Sequence, residues 1–294
     1  MAADAITIVD PHLHLFDLRL GNYHWLQPAN PPYWPDKHKI ARDFEESDLH
    51  LPENWQLQGF VHIEAGFDNQ APWREIDWLE ANCQLPFKSV ACADLCSADF
   101  ALQIAQLQKR RSVVGIRHIL DEDALAVLSH PLCQPHFALL AQLGWSFDAQ
   151  LALSDTPSVQ ALLGISRQFP DLAIIINHAG WPPPASDTQQ RECWSQNMQA
   201  LSKQANVAIK MSGWEMSDRQ WLPETMLHTL SCCLSLFGDD RVMLASNFPL
   251  CTLSHSYATL WQSYHATLLN DSTNWARVWP QISNRNAARW YHLA

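Results

Sequence analysis

Residues 7–14 read TIVDPHLH. Thr7–Asp10 is a short apolar run rich in β-branched residues, and polar groups begin where it ends, at Asp10, His12 and His14. Runs of this kind, apolar within and polar at the C-terminal end, recur along the chain. They are Gly59–Glu64 (GFVHIE), Ser89–Asp94 (SVACAD), Val113–His118 (VVGIRH), Ser146–Gln150 (SFDAQ), Leu172–His178 (LAIIINH), Val207–Ser212 (VAIKMS) and Arg241–Asn247 (RVMLASN). Their interiors lack strict polar alternation, as parallel strands covered on both faces should. Amphipathic stretches separate them: Pro72–Cys83, Ala98–Lys109, Pro135–Leu143, Ser158–Gln168, Gln189–Gln204 and Pro223–Phe237, with Ser254–Leu269 after the last run. Pro72 suits a first helical turn. Two more helices, near Asn274–Gln281 and Asn284–His292, are expected to close the chain.

Strands that alternate with crossovers imply a parallel sheet, and eight of them close naturally into a barrel. A doubly wound open sheet is the alternative, but the chain has only nine glycines and no GxGxxG after a strand. The predicted fold is therefore α/β: one (β/α)8 TIM barrel over residues 1–294 with extra C-terminal helices. The irregular segment Leu18–Pro35 follows the first strand, which places it on the barrel's C-terminal face as a candidate lid.

Composition narrows the function. The chain has 47% hydrophobic and 17% charged residues and a formal charge of −11. That acidity argues against nucleic acid as a partner. No apolar stretch approaches the roughly 18 residues that cross a bilayer, so no membrane association is expected. The start, MAADAITIVD, has no basic n-region and no long apolar run, so a cytoplasmic protein without a secretory leader is expected. The eight cysteines are then reduced; Cys92 and Cys96 lack a second pair at zinc-ribbon spacing. A small-molecule substrate is the expected partner, and the oligomeric state is left open.

Polar residues at the strand ends are the informative feature. Beyond Asp10, His12 and His14 they are His62 and Glu64, Asp94, Arg117 and His118, Asp148 and Gln150, Asn177 and His178, Lys210 and Ser212, and Ser246 and Asn247. One such residue is ordinarily the start of a solvated loop. Delivered by every strand at the same end, they converge on one mouth, where barrels hold their chemistry. Asp10 can simply brace a turn, and Glu64 with Lys210 is a candidate structural ion pair. His12 and His14, two apart on an extended chain, point the same way. Together with His178 they can face a divalent metal or a substrate carbonyl. Trp25, Trp34, Trp181 and Trp214 follow strands or lie in the first loop, where an aromatic face suits a sugar or planar ring; tryptophans in loops also serve only to anchor them.

In order and spacing, DPHLHLFD (10–17), GFVHIEA (59–65), GIRHIL (115–120), FDAQL (147–151), IINHAG (175–180), IKMSG (209–213), RVMLASNFPLC (241–251) and NAARWYHL (286–293) resemble the amidohydrolase-related family. That family includes the sugar-acid lactonases and 2-pyrone-4,6-dicarboxylate lactonase. The resemblance covers nearly the whole chain and implies hydrolysis of a small lactone. It implies that His12, His14 and His178 bind one zinc-like divalent ion or, where there is no metal, polarise the lactone carbonyl, and that a carboxylate after strand eight activates water. It leaves Glu64, Arg117, His118, Asp148, Gln150, Trp25 and Trp214 as substrate-binding candidates, the guanidinium suiting bidentate recognition.

Two departures stand out. The strand-eight acid of SDWP is Asn247 in SNFP, and the acid before the strand-six histidine is Asn177. An amide cannot take a proton from water near neutral pH and is a weaker metal ligand than carboxylate. Glu64, Asp94, Asp148 and Glu215 are the carboxylates left to act as base. A metal-dependent decarboxylase and a non-catalytic barrel that binds sugar acids or lactones are the alternatives to a hydrolase.

Overall fold

In a computed structural model, which describes residues 5–270 and 275–293, the apolar runs form eight strands. They are β1 (Ile6–Leu13), β2 (Trp55–Ile63), β3 (Phe87–Cys92), β4 (Val113–Ile119), β5 (Ser146–Gln150), β6 (Ile174–Ile176), β7 (Val207–Met211) and β8 (Val242–Leu244). All neighbours pair in parallel and in chain order. The ring closes just past β8: Asn247 N–H donates to His12 O (2.8 Å) and His14 N–H to Phe248 O (2.6 Å). The result is a (β/α)8 barrel.

The helices of the outer ring are α1 (Trp73–Asn82), α2 (Phe100–Leu107), α3 (Ala124–Leu128), α4 (Cys133–Leu143), α5 (Thr156–Gln168), α6 (Thr188–Ser202), α7 (Trp214–Ser217), α8 (Pro223–Phe237) and α9 (Tyr257–Asn270). Two more, α10 (Trp275–Pro280) and α11 (Asn286–Trp290), flank a π turn at Gln281–Arg285. The short α3 and α7 were not predicted, because four or five residues carry too little periodicity to register. The second C-terminal helix opens as the π turn. Asn274, at the predicted start of the first, and residues 1–4, read above for a leader, lie outside the described residues. Among the described residues no single helix is long and apolar enough to cross a membrane.

Strand alternation sorts the core into two layers. Val9, Val61, Ile63, Val90, Ile175, Ala208 and Met243 form one buried cluster, joined by Ala287 and Tyr291 from the C-terminal segment. The opposite faces pack on the helices in a larger cluster that includes Phe60, Ile116, Phe147, Ile174, Ile209 and Leu244. Burying each such side chain contributes roughly 1.5–3 kcal/mol, so both strand faces are strongly specified.

Strands six and eight are shorter than predicted. Their polar ends turn out of extended conformation: His178, Ala179, Trp181 and Asn247 all have positive φ (54°, 51°, 53° and 58°). Backbone of this kind is rare for residues with a Cβ and clusters at functional sites. The Leu18–Pro35 segment is irregular, as expected, with a 3-10 turn at His24–Leu26. Asn22 N–H donates to Phe67 O (2.7 Å) and Tyr23 N–H to Gly66 O (2.9 Å), so the segment lies against the loop that follows β2.

Candidate active site

Inward positions two residues apart carry the polar groups onward from the apolar layer. Lys210 follows Ala208 on β7, and Asn177 follows Ile175 past β6. Lys210 is fully buried; its Nζ lies 2.5 Å from Asp148 Oδ2 and 3.5 Å from His12 Nδ1. The Tyr291 hydroxyl is 2.9 Å from both oxygens of Asp148, and the Lys210 ammonium stands 4.9 Å over the Tyr291 ring. Burial lowers the Lys210 pKa from 10.5 to about 8, against the pull of Asp148.

The expected Glu64–Lys210 pair is not formed. Glu64 pairs instead with Arg117: Nε to Oε1 is 2.8 Å, and Nη2 reaches both Oε1 and the Glu64 carbonyl at 2.7 Å. Arg117 Nη1 donates to Gln150 Oε1 (3.0 Å). The reason lies in neighbouring strands: Arg117 pairs in register with Asp148, and Lys210 from two strands further round takes that carboxylate.

The three imidazoles meet. Ring centroids of His12 lie 5.1 Å from those of His14 and 4.6 Å from those of His178. All three are buried, and burial, followed by the Lys210 and Arg117 cations, holds their pKa values well below the usual 6.5, so they are neutral at pH 7. Their partners differ. His14 Nδ1 lies 2.7 Å from Ile63 O; a carbonyl only accepts, so Nδ1 carries the hydrogen and Nε2 a lone pair. His178 Nδ1 is 3.0 Å from Ser212 Oγ. His12 Nδ1 faces the Lys210 ammonium, which favours the lone pair there and the hydrogen on Nε2. Among the described residues His12 Nε2 is buried without a partner, as are Nδ2 and Oδ1 of Asn177. Orphaned buried polar atoms of this sort mark a place for a ligand or water.

Asp10 braces the first turn. Its Oδ1 accepts from the backbone of His12 and of Ser246, each at 3.1 Å, tying β1 to the end of β8. Burial pushes its carboxyl up to about 6. The Asn247 side chain bonds a carboxylate: its Nδ2 donates to Glu215 Oε1 at 2.5 Å.

The remaining candidates are held by partners of their own, and two of them, Gln150 and Trp181, also touch this group. His118 accepts from Leu95 N–H (3.1 Å) and lies 3.6 Å from Asp94, on the face of β4 opposite Arg117. His62 bridges Leu15 N–H and Glu75 of α1, packing strand to helix. The Trp214 indole donates to Tyr264 Oη (2.8 Å) and is buried. The Trp25 indole donates to Ala65 O (2.8 Å) and packs on Phe16 and Trp34. Gln150 joins Arg117 to Asp121. Trp181 packs on His178 with centroids 4.6 Å apart. Sequence reasoning brought Lys210 and Ser212 to the mouth without a specific role and did not single out Tyr291, for which the tyrosine of NAARWYHL was the available signal.

The amidohydrolase family model matches residues 9–293. An uncharacterised protein of Sinorhizobium fredii, y4mH, is 30% identical over 302 residues, 98% of this chain and 99% of its own. L-fucono-1,5-lactonase of Burkholderia ambifaria is 28% identical over 248 residues, 81% of this chain and 82% of its own. The crystal structure of an amidohydrolase from Burkholderia multivorans with bound zinc superposes with a TM-score of 0.79 at 20% identity, covering 98% of this chain and 100% of that one.

Zinc in that relative raises the question of fit. Among the described residues no three His, Cys, Asp or Glu side chains converge on a position able to hold an ion. The imidazole donors include one nitrogen whose hydrogen is favoured by Lys210, two cations lie close by, and the strand-eight side chain is an amide engaged with Glu215. A divalent ion needs ligand lone pairs and is repelled by cations beside it; the residues as placed do not fit one. The fold, the order of the strand-end motifs and the family match over residues 9–293 agree, and the chain belongs to the amidohydrolase family.

Proposed function

We propose that this chain hydrolyses the ester bond of a small lactone, of sugar-acid or pyrone type. One observation carries the reading: three neutral, buried imidazoles meet at the polar end of the barrel, and among the described residues one of them has a ring nitrogen without a partner. A lactone carbonyl gains negative charge as water attacks, and a fixed N–H aimed at that oxygen stabilises it. His12 Nε2–H is such a donor, kept in that tautomer by Lys210. His14 presents a lone pair instead and can orient the water by accepting one of its hydrogens. Arg117, anchored by Glu64, is the group for a substrate carboxylate or hydroxyl. The similarity to L-fucono-1,5-lactonase supports the same substrate class. The decarboxylase alternative requires a tightly held metal, which this donor set does not suit.

The reading is tested with a panel of aldonolactones and 2-pyrone-4,6-dicarboxylate, followed by a pH indicator. Hydrolysis of at least one lactone is expected, and His12→Ala should lower kcat by about 10²–10³. Activity should also survive prolonged dialysis against a chelator, with metal analysis finding far less than one ion per chain. Inactivation by the chelator, reversed by zinc, would show that the imidazoles act as ligands.

A further inference from the structure

Asn247 leaves the lactone reading without a proton acceptor at strand eight, and the structure offers a replacement. A single turn after β7 joins three parts of the site. Ser212 bonds His178, Gly213 packs against the same ring, and Glu215 in α7 bonds Asn247. Glu215 is 1% exposed. Its carboxylate therefore lies one hydrogen bond, 2.5 Å, beyond the amide that occupies the strand-eight position. The Asn247 side chain cannot accept a proton, but by donating Nδ2–H it fixes the orientation of a group that can. Arg219, Cys251 and Tyr264 also face Glu215. The Arg219 side chain donates to the Glu215 carbonyl and pairs with Asp36 at 2.8 Å, which ties this turn to the loop after β1. Neither Glu64 nor Asp148 is free for the role, since each neutralises a buried cation. Asp94 is more than half exposed, at the outer face of β4.

We propose that Glu215 is the general base of this enzyme, held in place by Asn247 where a strand-eight carboxylate acts in the lactonases it resembles. The proposal rests on the lactone-hydrolase reading. The oxygen of water bonds to the carbonyl carbon while its proton passes to the Glu215 carboxylate. The ring carbon–oxygen bond then breaks, and the ring oxygen takes that proton back, leaving the open hydroxy acid and ionised Glu215. Burial pushes the Glu215 carboxyl up from 4.5 to about 7, so its basic form grows in as pH rises through neutrality.

The test compares the wild type with Glu215→Gln, Asn247→Asp and the double variant on the same lactone panel, across the pH range around neutrality. Glu215→Gln should lower kcat by about 10²–10⁴ with little change in KM, the usual loss for a general base. The wild-type kcat should rise tenfold per pH unit below its midpoint near 7. In Asn247→Asp that limb should move to lower pH, and adding Glu215→Gln there should cost less than about tenfold. Wild-type activity kept in Glu215→Gln, or an acid limb unmoved in Asn247→Asp, overturns the role of Glu215 and leaves the lactone reading standing. If Glu215→Gln does not fold, the Asn247→Asp limb decides alone. Hydrolysis of no lactone by the wild type or by Asn247→Asp overturns the lactone reading and the proposal together.

Discussion

Lys210→Met is expected to destabilise the fold by about 3–5 kcal/mol, the usual result of removing one partner of a buried ion pair. Asp148 would be left fully buried with, among the described residues, the Tyr291 hydroxyl as its remaining hydrogen-bond partner. A lowered denaturant midpoint at pH 7 checks this. Adding Asp148→Leu removes the stranded charge and should recover most of the loss, because an apolar pair in such a site is often neutral or better. Activity should not return with stability, since nothing then holds His12 in its donor tautomer. Recovery of both in the double variant would reduce the pair to a structural role.

The same residues set the pH dependence of stability. Lys210 titrates at about 8 when folded and at 10.5 when unfolded. Between those values the unfolded chain binds the extra proton, so this group makes stability rise with pH there; below 8, where both states are protonated, its contribution does not change with pH. Glu215 works in the opposite direction. Its folded pKa is about 7 against 4.5, so its contribution is full below 4.5 and is lost as pH rises through 7. Asp10, at about 6 against 3.8, adds to that loss. Unfolding midpoints should therefore decline from pH 5 towards 7, and Glu215→Gln should flatten the decline. An unchanged slope in that variant would show that Glu215 titrates as an ordinary carboxylate.

The second large effect concerns Gly213, whose φ of +76° no β-branched residue adopts easily. A Cβ there would stand 2.6 Å from His178 Nδ1 and force the ring off Ser212. Gly213→Val is expected to cost about 1–3 kcal/mol in backbone strain and to lower kcat by about 10²-fold through a misplaced imidazole. Gly144 is the control. Its φ is +66°, yet nothing lies within 4 Å of its Cβ position, so Gly144→Val should show the strain and keep its kcat. Equal loss of kcat in both would mean that Gly213 acts through stability alone. Thermal unfolding and initial rates on the same preparations separate the two effects.

How much of this was legible follows from the range of the forces involved. An apolar run with a polar end is a local pattern, and each strand announces itself through the one or two faces it must bury. Eight such runs with helical spacers lead to a parallel barrel without any knowledge of pairing. The HxH spacing likewise states its geometry within a few residues, since alternate side chains of a strand share a face. The short ends of β6 and β8 were less legible, because positive φ at His178 and Asn247 is imposed by the packing around them.

Which charge neutralises which was settled between strands rather than along them. Glu64 takes Arg117 from two strands away, Lys210 likewise takes Asp148, and Asn247 turns to Glu215 from the preceding turn. Each choice depends on strand stagger and side-chain reach, neither of which is written in local periodicity. By itself the sequence determined the barrel, its polar end and the histidines gathered there, because burial acts on every residue where it stands. Only the tertiary structure decided the partners and the tautomers, since a buried charge or ring nitrogen is governed by whatever the closed barrel brings within about 3 Å of it.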